Sequence, residues 1–165
     1  MALNIHIWIT GTAQGEIHGD STVTSMEREE TIEAFQLEHI VKVPIEASGM
    51  GTGERSHAPI RITKRIDRSS PLLHQALCNN EDLEVTIKFY RPNPDGDGTT
   101  EQFYTIWLRQ ARISSIKTVL PNTIAESTAS APAMEEVSFV FGTINWVYER
   151  DGIEFEDVWR RTTQA

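Results

Sequence analysis

Residues 53–66 read Gly53-Glu-Arg-Ser-His-Ala-Pro-Ile-Arg-Ile-Thr-Lys-Arg-Ile66, followed by Ser70-Pro-Leu-Leu-His-Gln-Ala-Leu77 and Leu83-Glu-Val-Thr-Ile-Lys-Phe-Tyr90. In the first run Ile60, Ile62 and Ile66 keep even spacing while Arg61, Thr63 and Arg65 fall between them, the period of a half-buried strand. Lys64 is the one polar residue on the apolar side. Ser70 offers an N-cap oxygen, Pro71 suits the first helical position because its missing N–H has no partner there, and Leu72, Leu73, Ala76 and Leu77 make an apolar stripe. This predicts one short helix over about residues 70–80, ended by Asn79 and Asn80. Leu83, Val85, Ile87 and Phe89 then alternate as a second strand. So short a helix is marginal alone and must bury its stripe against a sheet.

Working outward, 165 residues fit a single domain, taken as residues 1–165 with an extended loop at about 45–58. The N-terminal run alternates, with Leu3, Ile5, Ile7 and Ile9 inward and Asn4, His6, Trp8 and Thr10 outward, so it reads as a strand and not as a signal peptide. No window approaches the roughly 18 apolar residues of a membrane span. One cysteine, Cys78, excludes an intrachain disulfide, favours a cytosolic compartment, and reads as a buried small hydrophobe on the helix. The net charge of −9 and the absence of a Lys/Arg face argue against a nucleic-acid partner. The acidic runs 27–30 and 154–157 read as solvated surface.

Further along, Gly11 and Gly15 bracket a turn after which residues 16–19 can resume pairing. From Thr31 a long run places Phe35, Leu37, Val41 and Val43 on one face, with His39 among them, until Pro44. The Asn93–Gly98 stretch imitates half of a calcium loop, but its twelfth position is Tyr104 and strands flank it, so it reads as a hairpin turn. In the next strand Tyr104, Ile106 and Leu108 share a face opposite Phe103 and Trp107. Its apolar phase changes near Gln110, which predicts a bulge. Residues 122–134 read as a loop. Val137, Phe139 and Phe141 alternate, Gly142 interrupts, and Ile144, Trp146 and Tyr148 take the other phase, again as a bent strand. Ile153 and Phe155 make a last short strand, and Trp159 lies in a polar tail. The sum is mainly β: a compact β-barrel, or two packed sheets, with one short α-helix.

The segment between Ile45 and Pro59 has no apolar periodicity, and loops of this length are usually functional or disordered. Its glycines at 49, 51 and 53 would cradle a phosphate only ahead of a helix, and here Pro59 and a strand follow. The histidines at 6, 18, 39, 57 and 74 lack metal-site spacing, so only a cluster in space could bind an ion. No nucleophile elbow is present. Asp67 and the nearby arginines read as surface pairs. Neither enzyme chemistry nor a cofactor is therefore expected. Trp8 and Trp107 on outer faces fit equally a partner surface and the core of a second sheet.

Taken together, Ile9-Thr-Gly-Thr-Ala-Gln-Gly-Glu16, His39-Ile-Val-Lys-Val-Pro44, Gly53-Glu-Arg-Ser-His-Ala-Pro59, the helix segment, Val85-Thr-Ile-Lys-Phe-Tyr-Arg91, Gln102-Phe-Tyr104 and Ile144-Asn-Trp146 resemble, in order, the haemolysin-coregulated protein (Hcp) family of bacterial type VI secretion. The resemblance implies a barrel that forms a homo-hexamer whose rings stack into a tube. It also implies a surrounding contractile sheath, a valine-glycine-repeat spike at the tip, and small effectors carried in the lumen by some members. The protein would start in the bacterial cytoplasm and be secreted by the machine itself. In the family the extended loop contacts neighbouring subunits or the next ring. Ala47, Ser48, Gly49, Met50, Gly51, Thr52, Gly53, Glu54, Arg55, Ser56 and His57 thereby become candidate contacts, with Trp8 and Trp107 added from their outer position. Two other readings stand beside this one: a monomeric ligand-binding β-barrel with an apolar cavity, and a metal-dependent hydrolase built on a spatial histidine cluster.

Overall fold

The structure, a computed structural model, describes residues 2–159. Alternating apolar side chains build its walls: β1 (Ile5–Gly11), β2 (Gly15–Ile17), β3 (Ile32–Glu38), β4 (Val41–Lys42), β5 (Ser56–His57), β6 (Ile60–Arg65), then α1 (Ser70–Cys78), β7 (Leu83–Pro92), β8 (Thr100–Val119), β9 (Met134–Val140), β10 (Thr143–Tyr148) and β11 (Ile153–Val158). The main sheet runs β11-β10-β8-β7-β1-β3-β6-β9, and β9 pairs back onto β8. Six strands thus close into a barrel, which removes their free edges. β10 and β11 extend from β8 outside the ring, and β2 pairs only β1.

Closure depends on the length of β8, which spans 20 residues. Its first half pairs with β10, Arg109 opposite Thr143, and its second half with β9, Arg112 opposite Val140. The expected phase change sits at Gln110, whose φ of 51° is left-handed. The run from Val137 to Tyr148 is two strands lying one after the other along β8, broken at Phe141 and Gly142. Ile7, Ile9, Ile62, Val85, Ile87, Leu108, Val137 and Phe139 are all buried and belong to one continuous core, so side chains fill the interior. That packing removes the observation a ligand-binding barrel would need.

Helix α1 buries Leu73 and Ala76 against this core, with Leu72 and Leu77 partly buried. Its N-cap is Ser69, one residue earlier than predicted, because Ser70 Oγ is used differently: it accepts from Asp67 N–H at 3.0 Å and from Lys64 Nζ at 3.1 Å. Lys64, the polar intrusion, is fully buried. Its ammonium also donates to Arg65 O at 2.8 Å and meets Asp67 Oδ1 at 3.0 Å, which uses its three protons on the nearest oxygens. Glu135 Oε2 lies farther off, at 3.6 Å, and has no hydrogen bond. Asp67 is therefore part of a buried ion cluster joining β6, α1 and β9, and not a surface pair.

Other expectations are corrected. A bulge between Ala34 and Gln36 shifts the phase of β3, so Ile32 and Ala34 point inward and Phe35 is exposed. Val41 and Val43 leave the barrel with the chain and are exposed, as are Ile66, Ile153 and Phe155. His6 faces out of the barrel but is only 2% exposed, because the segment before β3 covers it. Its Nδ1 lies 2.8 Å from Thr31 Oγ1 and its ring meets Tyr90 edge-on. Cys78 is exposed, because it follows the buried stripe around the helix. Asp157 is buried within the acidic run, and Trp159 packs on the core instead of lying in a polar tail.

Candidate functional site

The segment expected as a loop at 45–58 is a projecting hairpin arm. Val41 pairs with His57 and Lys42 with Ser56 in antiparallel register, and Ala58 N–H donates to Ile40 O at 2.9 Å. Farther out Ile45 bridges Gly51, with Glu46 N–H to Met50 O and Thr52 N–H to Pro44 O, both 2.9 Å. Gly49 closes the tip at φ +84°, a conformation that favours glycine. Apolar side chains appear here without inward periodicity because the arm has no core to face.

Ala47, Ser48, Gly49, Met50, Gly51, Thr52, Gly53, Glu54 and Arg55 are exposed, Ser56 is half-buried and His57 is buried. Along the arm Ile40, Val41, Val43, Ile45 and Met50 all present apolar surface to solvent, Ile45 at 71% and Met50 at 68%. Such a concentration on one hairpin exceeds the scattered apolar residues of an ordinary surface.

The base of the arm is held to β11 by a chain of polar contacts. Asp157 on β11 accepts from Arg55 Nε at 2.8 Å and Nη2 at 2.6 Å, and from His57 Nε2 at 2.8 Å. The Arg55 hydrogen bonds hold the Asp157 carboxyl at a pKa of about 2, overcoming the upward push of burial, with His57 adding to the effect. The other nitrogen of His57, Nδ1, lies 3.3 Å from His39 Nε2. Burial, and then the neighbouring His57, lower the His39 pKa. Phe141, Trp146 and Trp159 surround the His57 ring at centroid separations of 5.3, 6.1 and 5.2 Å. Both ring nitrogens of His57 are thus engaged, so this Asp–His pair leaves none to activate a nucleophile. Two of the five histidines do meet, yet no group of three or more His, Cys, Asp or Glu among the described residues could hold a metal ion.

Trp8 and Trp107 come together on another face. Trp8 pairs with Thr86 and Thr86 with Trp107, a single row across β1, β7 and β8 that continues to Asn145 and Glu156. Trp8 is half-buried with Lys88 Nζ 4.3 Å over its ring, and Trp107 is 39% exposed. Both lie on the outer face of the sheet, not in a second core. Asp157, which pairs with Ile144, points to the opposite face of the β10–β11 extension from Asn145 and Glu156. The arm base and the tryptophan row are therefore on opposite sides of that extension.

His39, Asp157, Trp146 and Trp159 were missed as site residues. Asp157 stands about a hundred positions from its partner His57, and nothing local in an acidic run marks one member as buried. A cleft of about 480 Å³ is lined by Thr10, Asp82, Leu83, Glu84, Arg109, Val158 and neighbours, charged side chains set in a largely apolar wall. No helix among the described residues is long and apolar enough to cross a membrane.

Residues 6–148 match the family model described as "Type VI secretion system effector, Hcp". The chain is 36% identical over 97% of both sequences to the "Major exported protein" of Pseudomonas aeruginosa. Among solved structures, the crystal structure of an Hcp protein superposes with a TM-score of 0.85 at 32% identity, over 96% of this chain and 99% of that one. The secreted protein Hcp3 from Pseudomonas aeruginosa gives 0.75 at 30% identity, over 94% and 99%.

Proposed function

The chain belongs to the Hcp family of type VI secretion systems, and on that premise we propose that it is the structural subunit of the secretion tube. Six copies close into a ring, rings stack into the inner tube, and contraction of the surrounding sheath expels the tube with its valine-glycine-repeat spike. The subunit waits in the cytoplasm and leaves the cell with the shot, carrying small effectors in the lumen. Its role is mechanical and not catalytic.

The observation that carries this reading is the similarity, over 97% of both chains, to a relative whose name records export. The arm adds a physical reason. Ile40, Val41, Val43, Ile45 and Met50 are exposed on a hairpin that reaches away from the barrel, and a neighbouring subunit would cover them. A ring needs a heterologous interface whose rotation closes, and a projecting arm received by another surface has that asymmetry. Residues 47–57 are proposed as ring-stacking or intersubunit contacts. The Trp8–Thr86–Trp107 row, on the opposite side of the β10–β11 extension, is proposed as a second contact face. Stacking through many weak contacts gives a tube that holds by valency and comes apart after delivery.

Light scattering after size exclusion, across a concentration series, tests the proposal. A mass near six subunits is the expected result. A clean monomer at every concentration, with no rings by electron microscopy, would count against it.

A further inference from the structure

The arm is a hairpin of few backbone bonds with an exposed apolar surface, so its attachment rests on what its base touches. Three side chains make that attachment. Arg55 and His57 both donate to Asp157 of β11, and His39, where the chain leaves the barrel, meets His57 where it returns. The two imidazole planes differ by 9° with centroids 5.4 Å apart, the arrangement of an N–H···N hydrogen bond lying in the ring planes. Phe141 and Trp146 pack on both rings and keep water from replacing that bond.

Such a bond has one shared proton. With both rings neutral, His57 Nε2 keeps its hydrogen toward the Asp157 carboxylate, so His57 Nδ1 is an acceptor and His39 Nε2 donates to it. One extra proton on the pair leaves the bond intact, because the charged ring donates to the neutral one. A second extra proton leaves two N–H groups pointing at each other across 3.3 Å, and two cations in a site lined by aromatic rings.

We propose that the His39–His57 pair is an acid-sensitive latch that holds the hairpin arm to the barrel and releases it when both rings are protonated. The charged groups around the pair set its bias. Asp157 and Arg55 face His57 and remain ionised together, and Glu54 lies on the Arg55 side. Glu38 and Arg61, paired with each other, share with His39 a cleft of about 330 Å³ that also includes Ala58, Pro59 and Ser138. That cleft gives solvent a route to His39, the half-buried member. Burial and the neighbouring ring both resist a proton on His39, so the latch stays closed at neutral pH and opens on acidification. This is a property of the single chain, independent of whether rings form.

Hydrogen exchange read by mass spectrometry on the full chain, corrected for intrinsic rates, tests the latch at about pH 7.5 and about pH 4.5. In the wild type, protection of the peptide covering residues 40–58 is expected to fall by at least about tenfold on acidification while peptides from β1 and β7 keep theirs. His39→Gln carries no second charge and should hold its arm protection nearly constant between the two conditions. His39→Lys carries one charge at every pH and can still donate to a neutral His57, so it should keep its arm protection at about pH 7.5 and lose it at about pH 4.5. Protection of β1 and β7 reports that each variant is folded. Arm protection in the wild type that does not change with pH, or His39→Gln opening on acidification as the wild type does, would overturn the proposal.

Discussion

Gln110 and Gly142 face each other where β8 passes from one partner to the next. Gly142 N–H points at Arg109 O and Gln110 O, at 3.1 and 3.2 Å, while Gln110 adopts a left-handed backbone. The break in phase on β8 and the break between β9 and β10 are one feature seen from two strands. A Cβ on Gly142 would lie 3.1 Å from Gln110 Cβ and press on its amide oxygen. Gly142→Ala should therefore cost about 1–2 kcal/mol, because the Gln110 side chain must swing away. Gln110→Gly removes the obstacle and suits the left-handed backbone, so the same alanine in that background should cost under about 0.5 kcal/mol. Urea midpoints of the four proteins close the cycle, and additive effects would separate the two breaks.

The buried cluster gives a second prediction. Lys64 Nζ saturates its protons on Arg65 O, Ser70 Oγ and Asp67, leaving Glu135 Oε2 served only by proximity. Lys64→Met strands two carboxylates in the interior and should destabilise by about 3–5 kcal/mol. Adding Glu135→Leu removes the more deeply buried of them and should recover roughly half of that loss. A double variant no better than the single one would show that Glu135 does not depend on Lys64.

Much of this architecture is legible in the residues. β1, β6, β7 and β8 announce themselves by period two, and Pro71 and Asn79 bracket the helix within one residue. What escaped reading has a common physical origin, since period reports two faces but not what covers the second. His6 alternates like a solvent-facing residue and is buried because Arg28 and Thr31 fold over it. Val41 and Val43 alternate like core and are exposed because the chain there has left the barrel. The arm's anchor joins residues about a hundred positions apart, beyond the reach of any window.

His6 supplies a pH prediction. The Thr31 hydroxyl donates to Arg28 O at 2.7 Å, so His6 Nδ1 must carry the hydrogen it gives to Thr31 Oγ1. Burial pushes the pKa of His6 down to about 4, against a smaller upward pull from Glu33 and a further downward push from Arg28. Above about pH 6.5 the folded and unfolded chains bind the same number of protons at this ring. Below it the unfolded chain takes up a proton that the folded chain refuses, so stability falls as pH drops toward about 4. The loss from this group amounts to about 3 kcal/mol. His6→Asn, which can still donate to Thr31 but does not titrate, should flatten that part of the acid slope. Parallel stability curves for wild type and variant over this range would refute the assignment.

The arm carries the last prediction. Met50 to Gly53 lie at and beyond the tip, all exposed, joined to the rest by the Ile45–Gly51 bridge and the Thr52–Pro44 bond. None of them touches the core, whose members all lie elsewhere. Deleting residues 50–53 should therefore leave the far-ultraviolet circular dichroism and the thermal midpoint of the barrel unchanged within a few degrees, about 1 kcal/mol or less. It also removes Met50 and one end of the bridge that positions Ile45, the two most exposed apolar side chains of the arm. If they are received by a neighbouring copy, the ring mass seen by light scattering should give way to a single-subunit mass, or need at least about tenfold more protein to appear. Loss of the folded spectrum would mean that the tip supports the barrel itself. An unchanged ring mass would shift the contact to the Trp8–Trp107 face, where Trp107→Ala becomes the deciding variant.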